Sequence, residues 1–260
     1  AAGRWWGVDA MAEAYYSISP FAYVANNPVI FIDPNGEEIW ITIDAGTRVQ
    51  YRNGGLYDQD ENEYVAEEGS FAAKTLSALN HIAKNGGVAG KQLITYLTQN
   101  EEEGGGNTWI SETSGHAAEG GGVIYWNPEE GLINEREEVL SPALGLAHEL
   151  GHTYNELVEG SEVVQGRLAK SDPIWSNAEE KYNIETWEQP ISTSFEKAGY
   201  GSHSREHHGL SDFVKVSGGP NSNQLKNPQD NIRARKVAER LTWPSQQLIK
   251  WRKDGKPGRD

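Results

Sequence analysis

The chain has no cysteine, a single methionine, and no apolar run of the roughly 18 residues that a membrane-spanning helix needs. Without cysteine there are no disulfides and no thiolate-bound metals, so any zinc centre must use histidine and carboxylate. The same absence suits reducing and oxidising compartments alike, and leaves location open. Without the apolar run, no helical membrane span is expected. Positive charge is also scarce: 23 Lys and Arg stand against 38 Asp and Glu, a formal net charge of −15. Phosphate backbones are gripped by Lys and Arg, so a nucleic-acid partner is not expected. The basic residues gather late, from Arg233 to Arg259, and that run reads as a solvated helix face.

What is present suffices for one sizeable domain. The 260 residues include nine Trp and eleven Tyr, enough for a core, although a polar and Gly-rich one. The opening, Ala1-Ala2-Gly3-Arg4-Trp5-Trp6, lacks the pattern of a signal peptide and reads as the interior of a longer chain. Through residue 36 aromatic residues alternate with turn dipeptides: Trp5-Trp6-Gly7, Ser19-Pro20-Phe21, Asn27-Pro28 and Asp33-Pro34-Asn35-Gly36. Short strands and tight turns are expected there. This segment resembles the last part of the RHS-repeat-associated core, the closing end of the cocoon-like β-shell of polymorphic toxins. The resemblance covers residues 1–36 only. It implies a domain boundary there, with a variable toxin domain over 37–260.

Beyond the boundary the pattern becomes mixed. Ile39, Ile41 and Ile43, then Val49, Tyr51 and Leu56, alternate with polar residues and predict two or three antiparallel strands. Phe71 to Ala83 has helical spacing and stops at Asn85-Gly86-Gly87, and Lys91 to Thr98 predicts a second short helix. Strands are expected near Asn107 to Glu112 and over Val123 to Asn127; the latter lies just ahead of the HExxH segment at residues 148–152, where zincins place the strand at the substrate-cleft edge.

His148-Glu149-Leu150-Gly151-His152 is the chemical centre of the sequence. At 3.6 residues per turn, positions i and i+4 lie one above the other, so two imidazoles can take two corners of a tetrahedral zinc site. Glu149 between them is suited to act as general base. Ser141-Pro142 is a helix start, and Leu144, Leu146, Ala147 and Leu150 provide the face to be buried. A catalytic zinc takes a third protein ligand. The position where the long metzincin pattern would place a third His is Val158, so a carboxylate from a second helix is expected. Ser176 to Glu188 is such a helix, capped by Asn177 or Ser176, and its candidates are Glu179, Glu180, Glu185 and Glu188.

The order of these elements, with Glu179-Glu180-Lys181-Tyr182, Glu188-Gln189-Pro190 and Arg205-Glu206-His207-His208, resembles bacterial effector zinc metalloproteases and clostridial neurotoxin light chains. That resemblance implies Glu180 as the third ligand; Glu188, eight residues on and on the same helical face, is the second choice. Arg205 and His208 match an Arg-x-x-Tyr element that stabilises the transition state, with His in place of Tyr; Gln189 departs from an Asn in the family pattern. Together the two resemblances imply an α+β, zincin-like zinc endopeptidase, the secreted or injected C-terminal toxin of an RHS-type protein. Its expected partners are a protein substrate of a target cell, a cognate immunity protein and the RHS shell of its own precursor. The alternatives are a self-processing protease and a non-catalytic zincin-like binding module. Asn155 and Glu156, just past the second His, are expected to orient the imidazoles.

Overall fold

The computed structural model describes residues 38–44, 47–98, 107–113, 116–134, 138–201, 203–205, 208 and 212–227. The segment 1–36, with its boundary and its RHS resemblance, and the basic stretch 233–259 lie outside the described residues.

The protein is α+β. Strands β1 (Ile39–Asp44), β2 (Thr47–Arg52) and β3 (Gly55–Tyr57) form the expected antiparallel meander. Its alternation sends Ile39, Ile41, Val49, Tyr51 and Leu56 into the core. Helices α1 (Phe71–Asn85) and α2 (Gly87–Leu97) follow. Ser70 caps α1 by accepting from the Ala73 amide, and Gly87 at φ 66° makes the turn between the helices. Strands β4 (Thr108–Glu112), β5 (Ala117–Glu119) and β6 (Val123–Trp126) complete a six-stranded sheet in the order β3-β2-β1-β4-β6-β5. Its centre is parallel, because β4 pairs in parallel with both β1 and β6.

The strand β6 is therefore interior, not the cleft edge expected from the sequence. It is held by β4 on one side and by antiparallel β5 on the other, and β5 forms the edge. A second sheet, not anticipated, joins β7 (Glu130–Ile133), β8 (Val139–Leu140), β11 (Asp212–Ser217) and β12 (Gln224–Leu225) in the order β12-β11-β7-β8. Between the sheets runs α3 (Pro142–Glu159), buried along most of its length. Helix α4 (Ser161–Leu168) and a two-stranded hairpin, β9 (Ser171–Asp172) with β10 (Ser176–Asn177), lead into α5 (Ala178–Asn183). The helix continues through a π-turn at Ile184–Glu188 into α6 (Gln189–Lys197). One apolar core unites the inner face of the large sheet, through Ile110, Ile124 and Trp126, with Leu79, Leu93, Leu144, Leu150, Trp187 and Phe195 of the helices. No helix among the described residues is long and apolar enough to cross a membrane.

Candidate metal centre

Helix α3 starts where its sequence requires. Ser141 accepts from the Leu144 amide, Pro142 occupies the first turn, and the Trp126 indole donates to the Pro142 carbonyl at 2.9 Å. Leu144, Leu146, Ala147 and Leu150 are fully buried, which turns His148 and His152 toward a cleft. The second helix can approach because residue 151 is glycine. A Cβ there would lie 2.4 Å from Asn183 Oδ1 and 2.8 Å from Trp187 Cδ1. Asn177 caps α5 by accepting from the Glu180 amide at 2.9 Å. The π-turn, closed by the Gln189 amide on the Ile184 carbonyl, inserts one residue into the helix. Eight residues of regular α-helix would rotate Glu188 about 80° away from Glu180, and the insertion reduces the offset to about 20°. Both carboxylates thus face His148, from opposite sides of its ring.

His148 Nε2, His152 Nε2 and Glu180 Oε2 form a triangle: 3.2 Å between the nitrogens, and 3.2 and 3.6 Å from them to the oxygen. Tetrahedral zinc with ligand bonds near 2.0–2.1 Å has ligand–ligand edges of about 3.3–3.4 Å. The three residues are the one group among the described residues whose donor atoms cluster closely enough to hold a metal ion. Glu180 Oε2 is buried and makes no hydrogen bond, although three ring nitrogens lie within 3.6 Å of it. Such an oxygen is costly without a partner, and a cation between these donors would supply one. The donor set of two imidazoles and a carboxylate is one that zinc accepts.

The rear of each imidazole is fixed by another carboxylate. His148 Nδ1 lies 3.0 Å from Glu188 Oε2, which also accepts from Arg205 Nε at 3.1 Å and Nη2 at 3.0 Å. Arg205 Nη2 and Asn183 Nδ2 also come within 3.3 Å of His148 Nδ1, but both are donors with better acceptors. Arg205 has Glu188, and Asn183 has the His148 carbonyl at 2.8 Å. The Nδ1 proton therefore goes to Glu188, which leaves the Nε2 lone pair for the cleft. His152 Nδ1 lies 3.3 Å from Glu179 Oε1, and Glu179 is gripped by Asn155 at 2.9 Å and by Arg167 of α4. The Trp187 indole in turn fixes Asn155.

Charge follows this geometry. Burial alone would push Glu188 up, but Arg205 and His148 hold it down at about 2. Burial would likewise raise Glu180, and the two facing imidazoles hold it well below the usual carboxylate range. Burial opposes charge on His152, yet Glu179 and Glu180 raise it to about 10. His148 is raised as well, because Glu180 and Glu188 outweigh burial and Arg205. His208 is pushed down to about 4, chiefly by burial.

The cleft has a volume of about 430 Å³ and is lined by Glu149, His208 and Arg205 as well as the triangle. His208 Nε2 lies 3.2 Å from Glu180 Oε2, its Nδ1 3.1 Å from Ser176 Oγ, and its amide bonds the Ile174 carbonyl of the β9–β10 turn. The structure thus brings His148, Glu149, His152, Glu180, Glu188, Arg205 and His208 together. Glu188 faces the far side of His148 from the triangle, and the Arg205 guanidinium is engaged by Glu188. Asn155 acts on Glu179 and not directly on a ring, and Glu156 turns away to Gly121 and Ser161. Glu179, one of the four carboxylates named from the sequence but not assigned as the ligand, is fully buried against His152. Sequence reasoning missed Arg167 and Asn183. The one available signal was the Glu179-Glu180 pair itself, which places two carboxylates at the same imidazole. No protein-family model matches the chain, and neither do any curated proteins or solved structures.

Proposed function

We propose that this chain is a zinc-dependent endopeptidase of zincin-like fold, and that it serves as the C-terminal toxin of an RHS-type polymorphic protein. His148, His152 and Glu180 hold the metal. The observation that carries the reading is the tetrahedral-edge spacing of these three donors around a Glu180 oxygen that has no hydrogen bond, beside Glu149 in an open cleft. Bound zinc supplies Lewis-acid polarisation of a scissile carbonyl and makes a water more acidic. Glu149 accepts the proton of the attacking water and passes it to the leaving amine. His208 offers a ring N–H toward the carbonyl oxygen as negative charge develops there. Arg205 acts through Glu188, whose charge keeps His148 in the tautomer with a free Nε2. Strand β5 pairs only with β6 among the described residues, and its free edge beside the cleft suits an extended peptide added as a further strand. The toxin role, the target-cell substrate, the immunity protein and delivery by secretion or injection rest on the resemblance of residues 1–36 to an RHS core.

The test pairs metal analysis with proteolysis. Purified wild-type protein and Glu149→Gln are each assayed for zinc and then incubated with a cell lysate. Both should carry about one zinc per chain. Only the wild type should yield a discrete set of cleaved proteins, with the variant slower by roughly 10²–10⁴-fold. A wild type that binds no zinc, or a variant that cuts at full rate, overturns the reading. The same pair, made within a longer precursor and followed by mass spectrometry, separates self-processing from attack on foreign protein.

A further inference from the structure

Glu156 continues the stripe of α3 that carries the two histidines, one helical turn beyond His152. It contributes nothing to the metal triangle. Its carboxylate instead spans the cleft entrance. Oε2 accepts from the Gly121 amide at 3.2 Å, in the turn that joins edge strand β5 to β6. Oε1 accepts from Ser161 Oγ at 2.7 Å, at the first residue of α4. Those two elements are the facing walls of the cleft, where Ala118 and Gly120 line one side and Val164, Gln165 and Leu168 the other.

Each wall has backbone anchors at this end, the Gly122 carbonyl accepting from the Trp109 amide and the Gly160 carbonyl from the Val163 and Val164 amides, but these run within each wall and not between the two. Strand β5 is three residues long and has one strand partner among the described residues. Its turn runs through Gly121 and Gly122, at φ 79° and 78°. Residue 122 can only be glycine, since a Cβ would lie 2.5 Å from the Asn107 carbonyl oxygen; at Gly121 a Cβ would meet nothing within 4 Å. Helix α4 starts at Gly160 without a side-chain cap. Glu156 bonds both walls with one side chain.

We infer that Glu156 is a positioning residue that ties the β5–β6 turn to the start of α4 and so fixes the width of the substrate cleft. This rests on the peptidase reading for the meaning of the cleft, but the tie itself is independent of it. Residues in such a role act on peptide binding and leave the metal and the proton transfer alone. Gln can make the same two bonds, accepting from Gly121 and donating to Ser161, whereas Ala can make neither.

Casein digestion by the wild type supplies scissile sequences, and a ten-residue peptide spanning one of them serves as the probe. Glu156→Ala should raise KM for this peptide by roughly 2- to 13-fold, as for loss of an ordinary net hydrogen bond at an exposed site. Its kcat and zinc content should stay close to wild type, and the Gly121 amide should exchange faster with deuterium. Glu156→Gln should restore both KM and protection. Ser161→Ala, which removes one bond and keeps the carboxylate, should shift KM the same way by less, and it carries the test if Glu156→Ala does not fold. Unchanged Gly121 exchange in Glu156→Ala, an unchanged KM in both Glu156→Ala and Ser161→Ala, loss of zinc, or a Gln variant as impaired as Ala would each overturn the inference. If the wild type cuts neither casein nor lysate proteins, the peptidase reading falls, and Gly121 exchange alone then decides the tie.

Discussion

Glu180 and Glu188 address opposite nitrogens of one imidazole, and their substitutions should separate accordingly. Glu180 Oε2 faces Nε2 of His148 and Nε2 of His152, whereas Glu188 Oε2 faces Nδ1 of His148. Glu180→Ala removes a ligand of the proposed zinc and should lower zinc affinity by more than about 100-fold. Glu188→Ala removes the anchor behind a ligand, an effect typically about 10–100-fold. It also leaves Arg205 buried without its carboxylate, so the folded protein should lose stability too. Competitive zinc titration of both variants checks the order, and a larger loss for Glu188→Ala would reverse the assignment. The two histidines stand out in the sequence because a motif carries them, whereas the preference for Glu180 over Glu188 comes from the family resemblance, since spacing alone puts both on one face. Glu179 was not legible as a ring partner. Its partners Arg167, Asn155 and His152 come from two other helices, so its role exists only once those helices have packed.

At the scale of elements, the site depends on how closely α5 and the π-turn approach α3. Gly151 makes that approach possible, and Gly151→Ala should push the second helix away. Overpacking of this kind costs about 1–3 kcal/mol. Here it should lower both the urea midpoint and zinc affinity, since Asn183 and Trp187, the neighbours of the missing Cβ, also hold His148 and Asn155. Denaturation with and without zinc measures both effects. A variant as stable as wild type with unchanged zinc binding would show that the helices have slack. The start of α3, the Asn177 cap and the β1–β3 alternation were readable because each is a local rule of spacing or capping. The π-turn was not, since one inserted residue leaves no mark in composition. Nor was the edge position of β5. The sequence reading took Val123 to Asn127 as the edge strand, but parallel pairing to β4 and the short Ala117–Glu119 strand enclose it, and strand order is decided by pairing across long sequence distances.

For the molecule as a whole, acid sensitivity has an identifiable source away from the cleft. His81 of α1 is buried between Phe195, ring centroids 4.2 Å apart, and Tyr200 at 4.4 Å. Burial pushes its pKa down to about 4. An unfolded chain takes up a proton near pH 6.5 that the folded chain refuses until about 4, so His81 weakens the fold progressively as pH falls through that interval and is neutral above it. His81→Leu should lose less stability than wild type between pH 7 and pH 5 in paired urea titrations, and equal losses would remove His81 as a cause. The charges around the triangle have a different consequence. Glu159 and Glu179 share Arg167, Glu188 holds Arg205, and Glu180 faces only imidazoles, so carboxylates outnumber guanidiniums around the triangle. The facing carboxylates are what raise His148 and His152 against burial. The proposed dication would offset the same negative excess with both rings neutral. On the proposed zinc reading, metal uptake at this site displaces protons rather than adding to its charge.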